Sequence, residues 1–293
     1  MMSAPHSSRP YTRLTVMILL LTAVTVATGA VALYYVEQRL VAVAGENLSF
    51  AAAQTAYSLD RLLLERHGDA QMMARSFAQQ VSRRGFLMEY LVWMKGHYPL
   101  YLWLGVTDAE GRIVASSDAS DVGMEYEKRD WFRAVRESRA SHVGNVEPYE
   151  AAGGVDSVAF TAPIIGSQGE FLGVVSTRVG LPAIEEQVTK TVRMFERREG
   201  FIGTIEYQFM LSDGTVFLDS DLEHKGYVNL KRMGLPSALV SERDPLGYVE
   251  EQHLRRHVPV VTGYARAGTG GPLEGLRWTV LLRVDRRDIV API

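Results

Sequence analysis

Asp108-Ala-Glu-Gly111-Arg-Ile-Val-Ala-Ser-Ser117 decides the fold, because the chain contains it twice. Leu211-Ser-Asp-Gly214-Thr-Val-Phe-Leu-Asp-Ser220 sets glycine on glycine, apolar on apolar and a final serine on serine. Each glycine-bearing turn is flanked by short apolar runs, which reads as a β-hairpin. The far ends agree as well: Phe171-Leu-Gly-Val-Val-Ser-Thr-Arg178-Val and Gly275-Leu-Arg-Trp-Thr-Val-Leu-Leu-Arg283-Val lie at nearly the same offset from their hairpins. Two copies of a strand-turn-strand, helix, three-strand unit are the simplest account. Each predicts a mostly antiparallel sheet with helices on one face, an α+β arrangement.

Outward from the first hairpin, whose strands cover 101–107 and 113–117, a helix is expected before it over 86–95. After it come the turn Asp121-Val-Gly123, a helix over 130–137, a strand over 142–146 and a loop holding Pro148-Tyr149 and Gly153-Gly154. Strands over 158–164 and 171–179 follow, and Pro182 opens a helix to about 197.

The amino terminus is of another kind. Residues 14–36 carry no charge and have about the length that spans a hydrocarbon core as a helix. Arg9 and Arg13 precede this run, so the positive-inside bias makes 1–13 a cytoplasmic tail and puts the rest outside the inner (cell) membrane, in the periplasm or extracellular space. Ala27-Thr-Gly-Ala30 would suit signal-peptide cleavage, the competing reading, but the apolar run exceeds a signal core. Beyond it, Val36, Leu40, Val43, Ala51, Thr55, Leu59, Leu62, Ala70, Met73, Phe77 and Val81 recur at helical steps. They predict a long amphipathic helix within 37–97, on the order of 60 Å long, with Gly45 and Gly68 as points where it would kink or break.

The 293 residues have the charged and aromatic fractions of a folded protein. A net charge of -3 without basic clusters argues against nucleic acid as a partner, and the lack of cysteine excludes disulfides and thiolate chemistry.

Taken together, the anchor with its long helix, Asp108 through Ser117, Val122-Gly123, Arg129-Asp-Trp-Phe132, Pro163-Ile164, Gly173-Val-Val175 and the second unit resemble the double Cache sensors. These are extracytoplasmic ligand-binding modules of bacterial chemoreceptors, sensor kinases and membrane-bound cyclic-di-GMP enzymes. The resemblance implies two PAS-like lobes against one long helix, a membrane-distal ligand-binding lobe at 98–199 and a membrane-proximal lobe at 200–293. It also implies that Arg129 and Trp131 contact the ligand, as in the family's amino-acid binders, with Tyr149 as the downstream tyrosine.

Three positions depart from that pattern. Phe132 lacks the hydroxyl of the second aromatic, Ala151 stands where the first acid would be and Arg178 where the later acid would lie. A guanidinium in place of an ammonium-binding carboxylate reverses the demand of the pocket. We therefore expect a small organic acid rather than an amino acid, clamped by Arg129 and Arg178 and walled by Tyr126, Trp131, Phe132 and Tyr149. The alternative for Arg178 is the opposite, solvent-facing side of its strand, since one residue of slip flips the face.

Other candidates are weaker. His253-Leu-Arg-Arg-His257 has helical metal-pair spacing, but two arginines oppose a cation and we read the histidines as polar surface or strand-edge residues. Gly268-Thr-Gly-Gly271 sits between strands and reads as a hairpin connection rather than a phosphate loop. Glu250, Glu251, Arg255 and Arg256 read as a solvated face or inter-lobe ion pairs. No nucleophile elbow, zinc helix or phosphate loop occurs, so we expect no catalytic residues, metal or cofactor. The expected whole is the sensory half of a signalling protein, with a second spanning helix and a cytoplasmic output domain to follow. A stand-alone anchored binding protein is the alternative, and an extracytoplasmic enzyme a more distant one. A homodimer is expected, and the helix face around Leu48, Ala52 and Tyr57 serves either a partner copy or the chain's own lobe.

Overall fold

A computed structural model describes residues 9–150, 153–199, 204–221 and 228–291. The helix α1 runs unbroken over Arg9–Phe77, 69 residues, about 100 Å at 1.5 Å per residue. Its part from 14 to 36 is exposed throughout and is apolar enough to cross a membrane. Thr22, Thr25 and Thr28 bond their hydroxyls to carbonyls one turn back, so even the polar groups of this stretch suit a hydrocarbon surrounding.

From Val41 onward α1 becomes the spine of the core. Leu48, Ala52, Leu59, Leu63, Ala70, Met73 and Phe77 are buried against the two sheets, at the expected helical spacing. No break occurs at Gly45 or Gly68. Gly45 has a packing role instead: a Cβ there would stand 2.3 Å from the ring of Tyr248, so the bare backbone lets that ring lie on the helix. Val81 falls beyond the helix end.

The short helix α2 (Arg84–His97) leads into the first lobe. There β1 (Tyr101–Thr107), β2 (Ile113–Ser116), β3 (His142–Tyr149), β4 (Val155–Ile165) and β5 (Phe171–Gly180) form an antiparallel sheet of order β2-β1-β5-β4-β3. After α4 (Leu181–Glu199), the second lobe repeats this arrangement. It contains β6 (Glu206–Met210), β7 (Val216–Asp219), β8 (Leu246–Gln252), β9 (Pro259–Arg266) and β10 (Thr279–Asp285), in the order β7-β6-β10-β9-β8. The two hairpins that match in sequence are β1-β2 and β6-β7.

Helices lie on both faces of each sheet, not on one. Val158, Phe160, Val175 and Val179 face the α1 side. The alternate residues face α3 (Asp130–Ser138), whose Trp131, Phe132 and Val135 pack on Val174. In the second lobe α5 (Pro236–Val240) covers the corresponding face, with Ala238 near Leu281 and Met210. Gly268-Thr-Gly-Gly271 does connect β9 to β10, and the Gly268 N–H donates to Asp60 of α1 at 2.6 Å. The last short helix, α6 (Arg286–Val290), returns to the foot of the spine, where Arg286 pairs with Glu37.

Candidate ligand pocket in the first lobe

Alternation along the strands brings Trp103, Arg178, Ser157 and Glu147 to one sheet face: Trp103 and Ala159 flank Arg178 across β1 and β4, and Glu147 faces Ser157. Arg178 is therefore turned inward and is only 7% exposed. Over this face lies a loop fixed by the hairpin. Gly111 has φ +92°, and a Cβ on it would sit 2.8 Å from the backbone of Glu127. The Tyr126 N–H bonds the Gly111 carbonyl at 2.7 Å. The diagnostic hairpin glycine thus seats Tyr126 above the sheet.

The cavity between this loop and the sheet is about 240 Å³, and its lining includes Trp103, Asp121, Tyr126, Arg129, Trp131, Tyr149 and Arg178. Rings meet at 5.8 to 6.2 Å for Tyr126 with Trp131, Trp103 with Tyr126 and Trp103 with Tyr149. Arg129 caps the start of α3 with extended backbone and stacks its guanidinium over Tyr126 at 5.5 Å. Among the described residues that guanidinium has no acidic partner. Tyr149 lies under Arg178 at 5.0 Å, and its hydroxyl is buried without a hydrogen-bond partner among the described residues. Burial, with the charge of Asp121 next, pushes both the Tyr126 and Tyr149 phenols above their ordinary value, so both are neutral donors.

Five of the six expected residues meet here: Tyr126, Arg129, Trp131, Tyr149 and Arg178. Phe132 does not reach the cavity; it is fully buried with Val135 and Val174 beneath α3, because helical geometry turns it a third of a turn from Trp131. Tyr149 was expected in a loop but ends β3, which runs three residues beyond 146. Ala151 lies outside the described residues.

Lining residues that the sequence does not single out include Trp103, Asp121 and Glu147. Asp121, buried, accepts from the Trp103 indole N–H at 2.6 Å. Glu147 pairs with Arg178 at 2.7 Å, and Ser157 takes a second bond from that guanidinium at 3.3 Å. Asp121 sat within the quoted turn, where an aspartate reads as turn chemistry. Glu147 lies just past the strand expected over 142–146, so its inward alternation carries no signal until β3 is seen to reach Tyr149. The charged stretch at 250–256 is not all solvated surface: Glu251, in β8, is buried on Ser237, and His253, just past its end, is buried against Glu206 at 2.8 Å.

No protein-family profile matches the chain, and no curated protein matches it. Solved structures do. An extracellular ligand-binding receptor from Desulfohalobium retbaense aligns with TM-score 0.56 at 16% identity, over 80% of this chain and 40% of that one. The extracellular domain of the putative histidine kinase mmHK1S-Z2 aligns with TM-score 0.55 at 13% identity, over 83% and 97%. The ligand-binding domain of the Pseudomonas fluorescens chemoreceptor CtaA, in complex with L-serine, aligns with TM-score 0.56 at 18% identity, over 80% and 94%. The fold is that of the double Cache ligand-binding domains of chemoreceptors and histidine kinases.

Proposed function

We propose that this chain is the extracytoplasmic sensor region of a membrane-anchored signalling protein, and that it captures a small carboxylate-bearing molecule in the first-lobe pocket. One observation carries the reading: the Arg129 guanidinium, without an acidic partner among the described residues, and the Tyr149 hydroxyl, without a hydrogen-bond partner among them, share a cavity with the buried Asp121 carboxylate. A ligand carboxylate would take the guanidinium fork. The organic-acid expectation rested on Arg178 standing unpaired. Glu147 supplies that missing acid, so the pocket favours a ligand that also offers donors, such as an amino acid with its ammonium towards Asp121. A dicarboxylate is the second reading, and it requires the half-exposed Glu147 to leave Arg178.

Calorimetry on the full chain in micelles, with amino-acid and organic-acid panels, tests this. Binding of neutral amino acids that Arg129→Ala weakens at least tenfold supports it. Binding of dicarboxylates alone selects the second reading, and no binding in either panel overturns both.

The signal would pass along α1, the element shared by both lobes and the anchor, as a biased equilibrium of two arrangements. A second copy is the natural partner. Val36, Val43, Phe50, Tyr57 and Leu64 recur every seven residues and are exposed, Phe50 by 59% and Tyr57 by 65%. That heptad stripe suits a parallel pairing of two anchored helices.

A further inference from the structure

The repeat that builds two like sheets also repeats an arginine. Arg178 on β5 and Arg283 on β10 hold matching positions in matching strands. Val280, Leu282 and Val284 face α1, whereas Leu281 packs on the other face. Alternation therefore turns Arg283 to the side that carries the pocket in the first lobe.

Arg283 is 2% exposed. Its Nη2 donates to Gln208 Oε1 at 2.6 Å, and its Nε is buried with no partner among the described residues. The three carboxylates whose charge acts on Arg283, those of Glu251, Glu206 and Asp219, each accept hydrogen bonds from other groups. Glu251 accepts from the Ser237 N–H and hydroxyl at 2.8 and 2.9 Å. Glu206 holds His253 and Arg256, each at 2.8 Å. Asp219 accepts from Gln208 at 2.7 Å. A buried guanidinium donor without an acceptor is costly, and the cost disappears when an acceptor is brought in.

Room for one lies beside it. A cavity of about 170 Å³ is lined by Arg283, Gln208, Asp219, His253 and Arg255, with Leu230 and Leu254 on its apolar side. His253 Nδ1 accepts from the backbone N–H groups of Arg255 and Arg256 at 3.2 Å, which leaves the proton on Nε2 for Glu206. The ring therefore adds no charge, and Arg255 is held by Asp221 at 2.6 Å and lies 3.7 Å from Asp219. The donor left without an acceptor among the described residues is Arg283 Nε, in a cavity with an apolar wall.

We infer that this cavity is a second ligand site, taking a short-chain monocarboxylate whose carboxylate bonds Arg283 Nε and whose alkyl tail rests on Leu230 and Leu254. A cavity of roughly 150 Å³ holds a molecule of benzene size, which limits the chain to a few carbons. The site is independent of the first-lobe pocket.

Calorimetry of the full chain in micelles with acetate, propionate and butyrate tests it, using ethylammonium as the cationic control. Saturable binding to one site, kept in Arg129→Ala, weakened at least tenfold in Leu254→Trp and abolished in Arg283→Met, is the expected result. Leu254 is only half-buried, so that variant remains informative if Arg283→Met fails to fold. The inference is overturned by no saturable binding of the three acids, by loss of binding in Arg129→Ala, by indifference to Leu254→Trp, or by tighter binding of ethylammonium.

Discussion

Trp278 of the second lobe donates its indole N–H to the Asn145 side chain of the first at 2.9 Å. The indole is fully buried and lies 4.7 Å from the ring of Phe217, so this polar link crosses between lobes from inside an apolar setting. Trp278→Phe keeps most of the ring and removes the donor, and we predict a loss of about 1–2 kcal/mol. Asn145→Ala should cost less. A double-mutant cycle in denaturant unfolding should return a coupling of about 1 kcal/mol, and additive losses would show that the bond does not hold the lobes together.

Gly45 and Gly68 of α1 should respond in opposite directions. Gly45→Ala drives a methyl group into the Tyr248 ring and should lower the thermal midpoint. Gly68 has nothing within 4 Å of its would-be Cβ, so Gly68→Ala should stabilise by about 1 kcal/mol through helix propensity. Equal effects of the two would remove the packing role assigned to Gly45.

Tyr149→Phe should separate stability from binding. Its hydroxyl is buried and unpartnered, so deleting it should leave the thermal midpoint unchanged or raised. The same change should weaken first-lobe ligand binding several-fold. A stability loss without a binding loss would mean the hydroxyl serves the fold.

His253 gives the chain an acid weakness. Burial holds its pKa below the ordinary 6.5, against the opposing pull of Glu206. Burial alone does the same to His67, beside Ser141. Above 6.5 both states are neutral; below it the unfolded chain takes up protons that the folded chain refuses, so stability falls as pH falls. Thermal midpoints should drop between pH 7.5 and 5.5, with a smaller drop in His253→Gln. An unchanged slope in that variant would place the proton uptake elsewhere.

The absence of cysteine makes the proposed pairing easy to probe. Phe50→Cys or Tyr57→Cys in membranes should give oxidised dimers, whereas Leu48→Cys and Ala52→Cys, both buried against the chain's own sheet, should not. Crosslinking that is uniform around the helix would rule out the heptad face.

The sequence by itself determined the elements and their order. The repeated hairpin, the helical recurrence of apolar residues and the uncharged run at 14–36 are local or periodic signals, and periodicity survives whatever the chain packs against. It also placed Arg129, Trp131 and Tyr149 in one region through their resemblance to a known pattern. What it could not settle was where side chains meet across strands. Glu147 reaching Arg178, Asp121 under Trp103 and His253 inside the second lobe depend on register and on how far β3 and β8 extend, which no local pattern encodes. Gly45 makes the same point from the helix: its propensity predicts a weak spot, and only the ring of Tyr248 lying against it shows why a glycine is there. The tertiary structure therefore decided the charge balance of the pocket.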